Sequence, residues 1–225
     1  MKQYAPVKPI VVESRPVTLV GGGALGPDDL SMCLARAPRA VAADGGADRL
    51  LAADHAPAAV IGDFDSLSEA ARAAYADRLH RVAEQDTTDF EKCLARIEAP
   101  LVLAAGFLGG RLDHTLSALS VLARRGARHV VLVAADQVAL LLPEGGTRIA
   151  VRPDAPVALL PLGPARVSSR GLKWDLSDTA LAPDGMVSSS NRATGETLDL
   201  RVAGPVLLTL APRDLDAAIG CVLGR

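Results

Sequence analysis

The chain has 225 residues, 49% of them hydrophobic but only 3% aromatic, with a formal charge of -2. That length carries one large domain or two small ones, with cores built from Ala, Val and Leu. The near-balanced charge gives no support to a nucleic-acid surface, and no uncharged apolar run reaches the roughly 18 residues of a membrane span. Cys33, Cys93 and Cys221 are dispersed, with no C-x-x-C pair. They argue for a reducing compartment and against both a disulfide framework and a zinc site. Residues 1–6 lead into no long apolar run, so no signal peptide is expected and the protein is expected to be cytoplasmic.

Residues 17–20 read as a short buried strand running into Gly21-Gly22-Gly23-Ala24-Leu25-Gly26-Pro27. Pro27 suits the first position of a helix that carries Leu30 and Leu34. A second strand, 40–43, stops at Asp44-Gly45-Gly46-Ala47-Asp48, and another helix follows. The third strand, 58–61, delivers Gly62-Asp63-Phe64-Asp65-Ser66. A helix over about 68–79 leads through Val82 to Gln85-Asp86-Thr87-Thr88-Asp89, with a helical run beginning at Phe90. A fourth buried strand, 101–104, precedes Gly109-Gly110-Arg111-Leu112-Asp113-His114 and a helix over 116–124. Strands at 130–134 and 138–142 close this part. Strands alternating with helices indicate a parallel sheet covered on both faces. After Gly145-Gly146 helical periodicity fades, and 157–160, 198–202 and 206–210 read as short strands between Gly, Pro, Ser and Asp. The expected fold is α/β: a parallel-sheet, Rossmann-like catalytic domain over 1–144, then a small antiparallel β-sandwich over 145–225. Residues 215–223 fit a helix or a strand equally. Tyr4, Tyr75 and Phe107 read as packing residues.

Each polar cluster follows a predicted strand, and ligands bind at that rim of open parallel sheets. Asp63 and Asp65 lie two apart and point the same way if the strand continues. Asp86 and Asp89 lie three apart at the start of a helix, on one face. Like charges drawn together repel unless a cation lies between them, and hard oxygen ligands suit Mg²⁺. Either pair alone reads more simply as a surface turn or an N-cap; both together favour a metal site. The glycines at 21, 22, 23 and 26 let backbone N–H groups approach a phosphate, Asp44-Gly45-Gly46 reaches the same rim, and Arg111 matches a phosphate oxygen. Asp113 fits a further ligand or a base. One competing pattern is Gly21-x-Gly23-x-x-Gly26 with Asp44 ending the next strand, which fits a dinucleotide fingerprint. Against it, Asp28 and Asp29 put two negative charges where a pyrophosphate would sit.

These segments resemble the thiamine pyrophosphokinase family, in its motif order: Asp44-Gly45-Gly46-Ala47, Gly62-Asp63-Phe64-Asp65-Ser66, Gln85 through Lys92, and Gly109 through His114. Gly171-Leu172-Lys173-Trp174-Asp175-Leu176 and Val187-Ser188-Ser189-Ser190-Asn191 resemble its thiamine-side signatures. The resemblance spans about residues 17–210. It implies a homodimer with active sites between subunits, and transfer of pyrophosphate from ATP to the thiamine hydroxyl, giving AMP and thiamine diphosphate. It implies that Asp63, Asp65 and Asp89 hold Mg²⁺ against the triphosphate. Gln85, Asp86 and Arg111 would meet the phosphates or the substrate hydroxyl, with Asp113 supporting them. Gly22, Gly23, Asp44, Gly45, Gly46, Thr88 and Lys92 would line the nucleotide, and Ser188, Ser190 and Asn191 the thiamine pyrimidine. The chain departs from the family at Ala118, where many relatives have Asn, and at Arg192-Ala193-Thr194, where some place an aromatic. That leaves Trp174 as the candidate for stacking. Two other readings keep these residues: a transferase acting on another small alcohol, and a non-catalytic nucleotide or dinucleotide sensor.

Overall fold

The computed structural model describes residues 7–224. Tyr4 and the rest of the leading segment lie outside the described residues. The chain forms two compact units: one runs up to Val121 and includes Leu132–Ala135, the other holds Leu122–Val131 and the residues from Asp136 on. Residues 136–144, assigned from sequence to the first domain, therefore cluster with the second unit.

The first unit opens with a small parallel pair, β1 (Val11–Val12), which joins β6 (Ile97–Glu98). Its main strands are β2 (Val17–Val20), β3 (Arg39–Ala43), β4 (Ala59–Gly62), β5 (Leu79–Arg81) and β7 (Val102–Ala105). They pair in the order β7-β2-β3-β4-β5, every pair parallel. Strands β2, β4 and β7 are buried along their whole length. Continuous apolar runs buried on both faces are the signature of a helix-covered parallel sheet. The helices are α1 (Asp29–Arg36), α2 (Gly46–Ala52), α3 (Glu69–Ala74), α4 (Asp89–Leu94) and α5 (Leu112–Arg125). One cluster of the core joins Val20, Ala42, Leu50, Val60 and Tyr75, so Ala, Val and Leu carry the packing as the composition requires.

Helix starts differ from the sequence reading by a residue or two. Helix α1 begins at Asp29 rather than Pro27, and Asp29 is buried with its carboxylate accepting the Gly26 N–H at 2.8 Å. The segment read as one helix over 68–79 is α3, then a 3₁₀ turn at Ala76–Arg78, then β5. Ser68 caps α3 by accepting the Ala71 N–H, while Leu79–Arg81 is claimed by pairing with β4. Tertiary pairing overrides local propensity here.

In the second unit β9 (Gln137–Leu141), after β8 (Val130–Ala134), begins an antiparallel set. The remaining strands are β10 (Gly145–Ala150), β11 (Pro156–Pro161), β12 (Ala165–Arg170), β13 (Thr179–Leu181), β14 (Ser188–Arg192), β15 (Thr197–Ala203) and β16 (Val206–Leu210). One set pairs β14-β11-β16-β9 and another β10-β15-β12-β13, all antiparallel. Residues 215–223 resolve as helix α6 (Leu215–Leu223), ending on Gly224 in the left-handed region at φ 68°. The chain is thus mixed α/β, parallel in its first unit and antiparallel in its second. Among the described residues no helix is long and apolar enough to cross a membrane.

All three cysteines are buried free thiols. Burial pushes the Cys33 thiol up to about 12 and raises Cys93 and Cys221 as well. A thiolate is the reactive form. The folded protein at pH 8 is therefore expected to react negligibly with Ellman's reagent over an hour, and to release three equivalents after denaturation. A fast equivalent from the native chain would contradict this packing.

Candidate active site

Because β2, β3, β4 and β7 run parallel, the residues that follow them arrive at one rim. The register Ala43↔Ile61 sets Asp44 beside Gly62, and Val20↔Ala105 sets Gly21 beside Gly106. Adding a Cβ at Gly62 would bring it 2.9 Å from the Asp44 Cβ, so a bare backbone there lets the two acidic segments lie side by side.

The carboxylates of Asp44, Asp63 and Asp65 each offer an oxygen within 4.8 Å of the others. The strand does not continue to Asp65, as the two-residue spacing suggested. Phe64 takes φ 71°, turning the chain back, and Arg72 secures it by donating to the Phe64 carbonyl at 3.0 Å. Asp63 and Asp65 converge through that turn. Asp44 is itself left-handed at φ 43°, a conformation that Asp tolerates better than most residues.

One lysine ties the second acidic segment to the first. Lys92 is 3% exposed, and its Nζ donates at 3.0 Å to both Asp63 Oδ2 and Asp89 Oδ1. Thr88 caps α4 by accepting the Glu91 N–H, so Asp86 lies ahead of the helix and does not share a helix face with Asp89 as the spacing suggested. Gln85 Nε2 also donates to Asp63 Oδ2, at 3.2 Å. Asp86 is exposed. The Lys92 ammonium holds the Asp63 carboxyl below its usual range, with Gln85 adding to the effect. Burial by itself depresses Lys92, but the hydrogen bonds and charges of Asp89 and Asp63 outweigh it, and the net shift is upward. Burial pushes Asp44 up to about 6; the Ser66 N–H, which Asp44 Oδ2 accepts at 3.2 Å, opposes that, and the Asp65 carboxylate adds to it.

Two oxygens carry the argument for a cation. Asp44 Oδ1 and Asp63 Oδ1 are buried and, among the described residues, accept no hydrogen bond. Buried polar atoms are nearly always satisfied, so two orphans within one carboxylate cluster fit a cation as their partner. An all-oxygen donor set suits Mg²⁺. The sequence reading grouped Asp63, Asp65 and Asp89 as ligands. The geometry instead groups Asp44 with Asp63 and Asp65, and Asp89 meets Lys92. Asp44 was legible as a rim carboxylate, but its closeness to Asp63 depends on the β3–β4 register.

The glycine-rich turn does a different job from the one its pattern suggests. The Gly21 N–H donates to Ala105 O at 2.8 Å and the Gly23 N–H to Gly106 O at 3.1 Å, so neither is free for a phosphate. A Cβ at Gly21 or Gly23 would fall 2.6 or 2.5 Å from the Gly106 carbonyl oxygen. These glycines allow close approach of two loops, and Gly23, the middle glycine of the pattern, does not offer its N–H to a phosphate as a dinucleotide fingerprint requires. Gly22 remains exposed, and Gly45 and Gly46 lead into α2. Arg111 and Asp113 are exposed and form a two-pronged pair, Nε–Oδ1 at 3.1 Å and Nη2–Oδ2 at 2.6 Å. That pairing lowers the Asp113 carboxyl, so Asp113 is a poor proton acceptor while Arg111 holds it. Ala118 is buried in α5, making a packing contact at the departing position.

In the second unit Trp174 stands 56% exposed, with Lys173 Nζ 4.8 Å from its ring centroid. Ser190 is exposed and left-handed at φ 57°. Ser188 and Asn191 are buried, 7% and 2% exposed, and Asn191 Nδ2 donates to Ser188 Oγ at 3.1 Å. Of the residues expected to face thiamine, Ser190 and Trp174 are accessible while Ser188 and Asn191 point inward.

Comparison with known proteins gives a consistent result. A family model described as thiamin pyrophosphokinase, catalytic domain, matches residues 30–133, and one described as thiamin pyrophosphokinase, vitamin B1 binding domain, matches 147–207. The chain is 30% identical over 213 residues to thiamine pyrophosphokinase 1 of Oryza sativa subsp. japonica, covering 80% of this chain and 81% of that protein. Among solved structures, thiamin pyrophosphokinase from Candida albicans superposes with a TM-score of 0.76 at 21% identity, covering 88% of this chain and 89% of that one. The enzyme from Geobacillus thermodenitrificans superposes with a TM-score of 0.74 at 25% identity, covering 87% and 96%. With both family models matched in order over most of its length, the chain belongs to the thiamin pyrophosphokinase family.

Proposed function

We propose that this protein transfers the diphosphoryl group of Mg²⁺-bound ATP to the hydroxyl of thiamine, releasing AMP. The single observation that carries the site assignment is the pair of orphaned oxygens, Asp44 Oδ1 and Asp63 Oδ1, in a cluster with Asp65. Asp44, Asp63 and Asp65 would hold the metal, with Asp89 beside them through Lys92. Held there, Mg²⁺ would supply neutralisation of charge on the phosphate oxygens. The thiamine oxygen attacks the β-phosphorus, the bond from that phosphorus to the α,β-bridging oxygen breaks, and the hydroxyl proton passes to solvent. The chain's own part is mostly positioning and charge. Lys92 keeps Asp63 ionised at neutral pH. Gln85 fixes the Asp63 carboxylate, and Arg111, on leaving Asp113, has a planar fork matched to phosphate. Asp86 is exposed and free to meet the substrate hydroxyl. Gly22, Gly45 and Thr88 border the nucleotide, while the buried Gly46 lets α2 approach Val20, whose carbonyl oxygen a Cβ would overlap. Trp174 and Ser190 face the thiamine rings.

The finer fold goes with this reading: a Rossmann-like catalytic domain, then a β-sandwich that binds thiamine. The matched segments leave the boundary between 133 and 147, and residues 136–144, which cluster with the second unit, favour its early end over residue 145. The homodimer with active sites at subunit interfaces, and the cytoplasmic location, rest on the resemblance and the composition. Incubation of the purified chain with ATP, MgCl₂ and thiamine is expected to give AMP and thiamine diphosphate in equal amounts, read by ³¹P NMR. EDTA is expected to abolish both. If a panel of other small alcohols turned over as fast as thiamine, the acceptor assignment would fail.

A further inference from the structure

We propose that Asn191 is a positioning residue: it never touches the substrate, but fixes the loop that presents Trp174 to it. This rests on the thiamine reading above and assigns the Ser-Asn signature a different job within it. Asn191 is 2% exposed and its amide is fully used. Its Oδ1 accepts the N–H groups of Trp174 at 3.2 Å and Arg192 at 2.9 Å. Its Nδ2 donates to Trp174 O at 2.9 Å and Ser188 Oγ at 3.1 Å. An amide has two donors and two strong acceptor sites, so nothing is left for a ligand.

The backbone explains how a strand residue comes to hold a loop 17 positions away. On β14 three steps separate Ser188 from Asn191, while on β11 only two separate their partners Leu159 and Val157. The extra residue makes a bulge, which Ser190 absorbs in the left-handed region at φ 57°. The bulge changes the side-chain alternation, so Asn191 turns inward while Ser189 and Ser190 stay exposed. The loop is held from further sides as well. The Lys173 N–H donates to Arg192 O at 2.8 Å, and Asp175 Oδ1 accepts from Leu172 N at 3.0 Å and Ser169 Oγ at 2.8 Å. A rigid loop thus carries a 56% exposed indole whose face already takes one cation, the Lys173 ammonium. Aromatic faces attract cations, and the thiazolium of thiamine is a flat, permanent one. The ligand class that fits is therefore a heteroaromatic cation.

Trp174 is the chain's one tryptophan, so intrinsic fluorescence reports on it alone. Thiamine is expected to quench that emission in the wild type. Asn191→Ala is expected to raise the KM for thiamine about tenfold, leave kcat within about threefold and the KM for ATP unchanged, and shift the quenching curve in parallel. Should that variant fold poorly, Asn191→Asp keeps the shape and the acceptors but loses both donations, and the same KM split is expected. The decisive measurement is the double-mutant cycle with Trp174→Ala. Once the indole is gone, removing Asn191 should raise the KM by less than twofold more. Additive effects would mean that Asn191 binds thiamine directly, and an unchanged KM in both single variants would mean that the loop does not present the ligand; either overturns the inference. Absence of thiamine turnover in the wild type would instead defeat the functional reading.

Discussion

Asp63→Asn is expected to lower thiamine-dependent AMP release by about 10³-fold at saturating substrates, while the chain stays folded. The substitution keeps the side chain's shape and removes one charge. Asp63 Oδ2 already accepts from Lys92 and Gln85, so Oδ1 is the atom left for a metal. Replacing a carboxylate by an amide there withdraws an anionic ligand and sets an N–H₂ group against either the cation or the Lys92 ammonium. Losing a group that stabilises transition-state charge costs about 3–4 kcal/mol, or two to three orders of magnitude in rate. Stability should change less, because Lys92 retains Asp89 at 3.0 Å. A second readout separates the two effects: Mg²⁺ with a non-hydrolysable ATP analogue should raise the melting temperature of the wild type but not of the variant. Retention of more than a tenth of the wild-type turnover would remove Asp63 from the metal set. Asp89→Asn, acting through Lys92, should have the milder effect.

What the sequence made legible follows from which interactions are local. Each buried strand of the first unit was visible as a short apolar run, because parallel strands covered on both faces carry no alternation to confuse them. The rim was visible too, since Asp44, Asp63 and Gly106 each follow such a run. The partner choice among the acids was not visible. Asp44 joins Asp63 through strand register and a bare Gly62, and Phe64 brings Asp65 round through a positive φ that no side-chain pattern announces. The glycine motif misled for a similar reason. A glycine that makes room for another backbone looks the same in sequence as one that makes room for a phosphate. In the second unit β12 and β14 escaped notice because Arg166-Val167-Ser168-Ser169-Arg170 and Ser188-Ser189-Ser190-Asn191-Arg192 are polar runs, held by pairing with neighbours rather than by a hydrophobic stripe. Asn191 read as a ligand residue because it sits in a signature; only the filled hydrogen-bond valences show it facing inward.

Lys92→Met is expected to destabilise the metal-free protein by about 2–3 kcal/mol at pH 7, a fall of about 5–10 °C in Tm for a chain of this size. Methionine has nearly the same length and is apolar, so the volume is kept while the charge is lost. The substitution leaves Asp63 and Asp89 facing each other without the ammonium that spans them. Breaking a fully buried pair costs about 3–5 kcal/mol; the lower figure applies because the Asp89 side chain is 36% exposed and solvent screens part of the repulsion. The pH dependence identifies the cause. The folded Asp63 carboxyl lies below its unfolded value of about 3.9, so its share of the stability is present above that pH and disappears as the pH falls through the folded value. The folded Lys92 ammonium lies above its unfolded value of about 10.4, so its share is present below that pH and disappears as the pH rises through the folded value. The stability gap between wild type and variant, from urea denaturation in EDTA, should therefore be flat between about pH 7 and about pH 10. It should narrow below that as Asp44, at about 6, and then Asp63 take up protons, and close again above it as Lys92 loses its proton. A gap of equal size at pH 3 and pH 7 would show that Lys92 acts through packing alone. The ion-pair account of the rim would then fail, and with it the reason Asp63 remains ionised next to two other carboxylates.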